Sequence, residues 1–203
     1  MKSLSEIETV SKRSSRAVGF SWGVAEEVGK NIRMLEMLGI PGIKNLNSYY
    51  RLRIKKKFQK ISLIQVENVA TELDYCPIIA GVSFLDQVRS LERLGKIRFE
   101  KIAFPLLFLP FVSRASEVLG KKIFLKIDNI NFLLNFNNSI YVNSLNDGIV
   151  NLGNDILIEF LENSDSFQEN EWKEIYKLSE NTFVEENENL KKTGAGAGLN
   201  DND

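Results

Sequence analysis

The chain has 203 residues, 43% of them hydrophobic and 26% charged, with a net charge of −1. This composition suits a folded domain with a sizeable core, and the near-zero charge excludes a global field that would recruit nucleic acid or a membrane. Histidine is absent and Cys76 is the single cysteine, which excludes a disulfide framework, histidine-dependent triads, zinc fingers and the metalloprotease motif.

At the start, Ser3 and Glu6 form a capping box, and Leu4, Ile7, Val10, Ser14 and Ala17 follow at helical spacing. A helix is predicted over 4–18. Ser21 caps a second helix with Glu26 and Glu27 in its early turns, where the dipole favours acids. Val24, Val28, Ile32, Leu35 and Leu38 line one of its faces, and Gly39 and Pro41 end it. The two helices are expected to pair antiparallel. A third is expected from Asn45 to about Phe58, and helical character returns after Pro77, ending near Gly95.

From Lys96 the pattern changes. "KIRFEKIAF" alternates imperfectly as a strand, and "PLLFLPFVSRASEVLG" fits a short buried helix closed by Gly120. Pro105 suits its first turn, while Pro110 is expected to kink or interrupt it. "KKIFLKID" and "NINFLLNF" read as strands, and "SIYVNSL" follows a tight turn at Asn137-Asn138. A further strand is expected from Asp155 to about Glu162, then a helix through Trp172, Ile175, Tyr176 and Ser179. Segregated helices and consecutive strands predict an α+β fold. It comprises an N-terminal helical hairpin or three-helix segment on a mixed, mainly antiparallel sheet, then a C-terminal helix and extended tail. One domain is expected over 1–203, with a helical part at 1–60, a sheet-rich core at 96–162, a helix at 168–184 and a tail at 185–203.

The longest cationic stretch is "KNLNSYYRLRIKKKFQK". Lys44, Arg51, Arg53, Lys55, Lys56, Lys57 and Lys60 occur with no acid between Glu36 and Glu67, interleaved with Tyr49, Tyr50 and Phe58. Cations beside aromatics are what phosphate contact plus base stacking needs. The plainer reading is a solvated helix face whose aromatics enter the core. Cys76 precedes Pro77, so a helix N-terminus is available to activate its thiol, and Asp74 and Asp86 flank it. Against this stands the commoner buried, inert cysteine. Arg114 follows an apolar run, where an ion pair with a buried carboxylate is the plainer role and anion or partner contact the functional one.

The chain ends "TGAGAGLNDND", with Gly194, Gly196 and Gly198 in a G-x-G-x-G run and Asp201 and Asp203 at the end. A dinucleotide loop needs a strand before it and a helix after it, and five residues follow here. A calcium loop needs a turn glycine and a closing glutamate, both missing. Small residues and an acidic end suit docking against backbone and a basic surface. No metal or cofactor is expected.

Several blocks together carry a resemblance. "SLSEIETVSKRSSRAVGFSWGVAEEVGKNIRMLEMLGIPG", "CPIIAGVSFLD", "PLLFLPFVSRAS" and "TFVEENENLKKTGAGAGLNDND" resemble an uncharacterised bacterial family of about this length, a domain of unknown function. The resemblance implies that these blocks form one unit, and implies no reaction. The segment from Lys44 to Glu72 has no counterpart in it, which counts against the basic patch as a shared site. Three functions follow as expectations. The first is a cytoplasmic binding or accessory protein using a pocket or subunit interface, with the tail docked on its own body, a second copy or a partner protein. The second is a small-molecule enzyme using carboxylates and Cys76. The third, the least favoured, is nucleic-acid binding through 44–60. The N-terminus has no apolar signal core and no run reaches the length of a membrane span.

Overall fold

The computed structural model describes residues 2–143 and 151–182. Two compact units divide between Asn163 and Ser164.

The first unit opens with α1 (Leu4–Ala17) and α2 (Trp22–Met37), capped by the Ser3 and Ser21 hydroxyls as their spacing predicts. The two run antiparallel, with Lys12 bonded to Glu26 at 3.2 Å and Arg33 to Glu8 at 3.0 Å. A Cβ on Gly29 would sit 2.8 Å from the Glu8 carbonyl, so the backbones approach too closely there for any side chain. α3 (Gly42–Arg53) follows. It stops about five residues short of the expected end at Phe58, because the Leu52 carbonyl accepts from both Lys55 and Lys56 and the chain then turns extended to pair Gln59 with Tyr75.

The rest of this unit is a six-stranded sheet with two covering helices. Its strands are β1 (Glu67–Asn68), β2 (Lys96–Ala103), β3 (Ile123–Ile127), β4 (Ile130–Asn135), β5 (Ser139–Val142) and β6 (Leu152–Phe160). Their order is β1-β2-β6-β3-β4-β5, antiparallel except for the short parallel pair of β1 with β2. β6 therefore lies between β2 and β3, which makes β2, the crossover and β3 a split β-α-β unit. The fold is α+β.

Where the strand signal of β2 is imperfect, the backbone gives the reason. Lys101 has φ +55°, so its side chain turns to solvent and Ile102, not Lys101, enters the core. β6 starts at Leu152, three residues before the expected Asp155, paired to Ala103 of β2. The β4–β5 turn uses Phe136 and Asn137, both at positive φ, one position earlier than Asn137-Asn138.

α4 (Pro77–Leu91) and α5 (Leu109–Leu119) supply the helical side of the aromatic core. Phe84 of α4 stacks on Phe160 at 6.3 Å and meets Phe108 edge-on at 5.8 Å; Phe108 in turn meets Phe99 of β2 at 5.6 Å. Pro105 begins a 3-10 turn (Pro105–Leu107) and Pro110 occupies the first turn of α5. The second proline thus starts a helix instead of kinking one, since its missing N–H would be unpaired there anyway. Ser116 donates to the Lys121 carbonyl at 2.7 Å and accepts from Phe136 N–H at 2.9 Å, locking the end of α5 to the β4–β5 turn.

The second unit contains α6 (Glu169–Glu180), against the 168–184 expected. The tail at 185–203, with Gly194, Gly196, Gly198, Asp201 and Asp203, lies outside the described residues.

A Cβ on Gly81 would lie 2.1 Å from the Phe111 ring, so α4 and α5 pack through this position. Overpacking costs about 1–3 kcal/mol, and alanine regains about 1 kcal/mol of helix propensity. With so short a contact the steric cost dominates. Gly81→Ala is expected to lower the unfolding free energy by about 1–2 kcal/mol, read from the urea midpoint at unchanged slope.

Candidate functional site

The Cys76 neighbourhood is a structural joint. Its thiol is 1% exposed, accepts weakly from Ile79 N–H at 3.4 Å and lies 3.0 Å from the Tyr49 hydroxyl. Its backbone N–H donates to the Gln59 carbonyl at 2.8 Å. Cys76 therefore caps α4 and closes the loop that precedes it.

The flanking carboxylates do not join it. Asp74 bonds Lys56 at 2.6 Å. Asp86 is exposed on α4, ten residues on from Cys76, or about 15 Å along the axis. Among the described residues no cluster of three or more Cys, Asp or Glu could hold a metal. Arg114 of α5 pairs with Glu27 of α2 and ties those helices together.

Burial sets the chemistry of the tyrosines. It raises the Tyr49 hydroxyl well above the ordinary tyrosine value, reinforced by Cys76, and pushes Tyr50 up to about 12, partly countered by a hydrogen bond with Ser15. Both are neutral phenols at physiological pH.

The basic stretch divides. Lys44 lies in the first turn of α3 and Arg51 and Arg53 in its last, whereas Lys55, Lys56, Lys57 and Lys60 belong to the loop beyond. Tyr49, Tyr50 and Phe58 are buried, so they offer no stacking platform. What the fold assembles instead is an open cleft of about 630 Å³, lined by Ala17–Gly19 at the α1–α2 turn and by Arg53, Ile54, Lys56, Lys57, Phe58 and Lys60.

The wall of this cleft is built from the core outward. Tyr50 bonds Ser15 of α1, and its ring lies 6.4 Å from Phe20. Arg53, one turn after Tyr49, puts its guanidinium 4.3 Å over the Phe20 ring and donates to the Tyr49 hydroxyl at 3.3 Å. Cation–π contact and that hydrogen bond hold the guanidinium in place, and its remaining N–H groups are donors a ligand can use. Lys56 is neutralised by Asp74, but Lys57 and Lys60 are exposed and form no ion pair with any described residue. Ile54, 78% exposed, adds an apolar edge.

Arg53, Lys56, Lys57 and Lys60 stand out in the sequence, but the facing turn at 17–19 and the Phe20 platform do not. No local signal joins segments more than thirty residues apart; the one hint is the arginine one turn after a tyrosine.

Residues 2–75 match the model of a family described as a protein of unknown function (DUF3726). This agrees with the resemblance to an uncharacterised family, but the matched range includes the segment from Lys44 to Glu72 that the resemblance left out, and with it every lining residue of the cleft. No curated protein and no solved structure matches the chain.

Two measurements check this geometry. Modification of Cys76 by an aromatic disulfide is expected to track unfolding, slow in buffer and fast beyond the urea midpoint; rapid native-state reaction would contradict the buried thiol. An unfolded phenol titrates near 10, so the stability from neutral Tyr49 and Tyr50 is fully present below that pH. It is lost as pH rises through about 12. The urea midpoint is expected to fall over this window, and Tyr50→Phe to shrink the fall.

Proposed function

We propose that this chain is a binding or accessory protein of the cytoplasm whose basic cleft takes a compact ligand bearing more than one negative charge, a phosphate or carboxylate compound. The observation that carries the reading is the pair of exposed lysines, Lys57 and Lys60, without ion-pair partners among the described residues, beside an Arg53 already held in place.

Cations at the end of α3 have an alternative explanation, since the C-terminal carbonyls of a helix attract positive charge. That effect fades within the last turn. It accounts for Arg51 and Arg53 and leaves Lys57 and Lys60, four and seven residues beyond Arg53, without a structural role. A volume of about 630 Å³ falls within the range of small-molecule sites. A guanidinium is a planar fork suited to two parallel hydrogen bonds with a carboxylate or phosphate, and one held in place loses less freedom on binding than a mobile one. Ile54 gives the ligand an apolar contact at the rim.

Single-strand nucleic acid is a poorer occupant, because base stacking contributes much of such binding and the interleaved aromatics are buried. Catalysis has less support still, with the thiol under the core and its two carboxylates elsewhere. A buried free thiol suits a reducing compartment.

Titration calorimetry with pyrophosphate and with citrate at low salt tests the reading. At least one is expected to bind at a single site, and Lys57→Glu with Lys60→Glu to weaken it by tenfold or more. The urea midpoint should hardly move, because both side chains are in solvent. Absence of heat from both anions, or binding unchanged in the double variant, would overturn the proposal. Tighter binding of a mixed-sequence oligonucleotide would transfer the cleft to nucleic acid.

A further inference from the structure

The α6 helix is specified locally. The Glu171 carboxylate accepts from the Gln168 N–H at 2.7 Å, and Phe167, just before the cap, stacks on Trp172 at 5.6 Å. Together these form a capping interaction and a hydrophobic staple at one helix start. Trp172, Ile175 and Tyr176 then fall at i, i+3 and i+4, with Leu178 flanking them, while Lys173, Glu174, Lys177 and Glu180 take the opposite side. All four apolar side chains are at least half exposed, Ile175 and Leu178 above 60%.

A twelve-residue helix is marginal in water without an apolar face to bury. Charge indicates what covers it. Residues 164–203 hold ten acids against four lysines, a net charge of −6, whereas residues 1–163 hold seventeen acids against twenty-two Lys and Arg, a net charge of +5. A second copy brings a basic body to an acidic C-terminal segment, and the exchange is reciprocal under a two-fold axis.

We propose that the Trp172–Ile175–Tyr176 face of α6 docks on a second copy of this chain, in the helix-on-apolar-surface mode with acidic residues at its margin. Apolar burial holds the pair together. The charge asymmetry speeds encounter and makes association weaken with salt.

The test uses the full chain. Sedimentation equilibrium is expected to give twice the 23.1 kDa chain mass, with the dimer constant falling as salt rises. Ile175→Ser with Leu178→Ser is expected to weaken dimerisation by tenfold or more. The Trp22→Phe protein retains Trp172 as its one tryptophan, and its emission should shift to the blue as concentration brings copies together. Both serine positions are exposed, and an unchanged far-ultraviolet spectrum and urea midpoint verify that the variant folds. A wild-type chain that stays monomeric overturns the proposal, including one whose Trp172 emission is already blue, which would mean that its own chain covers the face. A dimer that the double variant leaves intact overturns it equally.

Discussion

The bridge that runs from Gln59 through Tyr75 to Ile102 is the constraint on which both the core and the cleft depend. Gln59 N–H donates to the Asp74 carbonyl and Cys76 N–H to the Gln59 carbonyl, while Tyr75 N–H reaches Lys101 and Ala103 N–H returns to Tyr75. These four bonds pair the backbone of adjoining segments around the buried Tyr75 and Cys76. They also end α3, position Phe58 5.1 Å from the Tyr49 ring, and set the start of α4 at Cys76. Lys57 and Lys60 flank the bridged Gln59, so the cations of the cleft sit on a tethered segment.

The core behind this joint is apolar and aromatic, fastened by neutral polar groups. Ser15, Ser116, Asn68 and Cys76 are buried and each holds a local contact. Asn68 donates to the Arg98 carbonyl and so fixes the short β1 against β2. Neutral fasteners avoid the large desolvation cost that a buried charge carries. The ion pairs lie nearer solvent, between α1 and α2, between α2 and α5, and across the sheet at Arg98–Asp155. Such pairs contribute little each, so the fold rests on packing and backbone pairing.

The two surfaces proposed for binding differ in physical type. The cleft is preorganised, since Phe20, Tyr49 and the tethered loop hold its wall before any ligand arrives, which lowers the ordering cost of binding. α6 owes its form to its own cap and staple, and gains from whatever buries its apolar side. One surface is suited to charge recognition and the other to hydrophobic association. The thiol and carboxylates around Cys76 serve neither, because the same joint that sets α4 encloses the sulfur.

Features that depend on neighbours a few residues apart can be read from the chain before it folds. The caps at Ser3 and Ser21, the buried face of α2, the strand runs of β3 and β4 and the amphipathic period of α6 are all legible there, because hydrogen-bonded turns and side-chain period are local. The sequence also delimits the basic stretch and names half the cleft. The remaining features depend on contacts distant in the chain. α3 ends at Arg53 because Gln59 pairs with residues fifteen or more positions on, and Lys101, at positive φ where Tyr75 bonds its carbonyl, faces solvent. β6 entered between β2 and β3, a choice its own alternation leaves open. Arg53 became the anchor of a cleft because Phe20, thirty-three residues earlier, lies beneath its guanidinium. Local propensity fixes where elements form; only the packing of distant segments, which sets Phe20 under Arg53 and ties Gln59 to Tyr75, fixes which charges are left facing water.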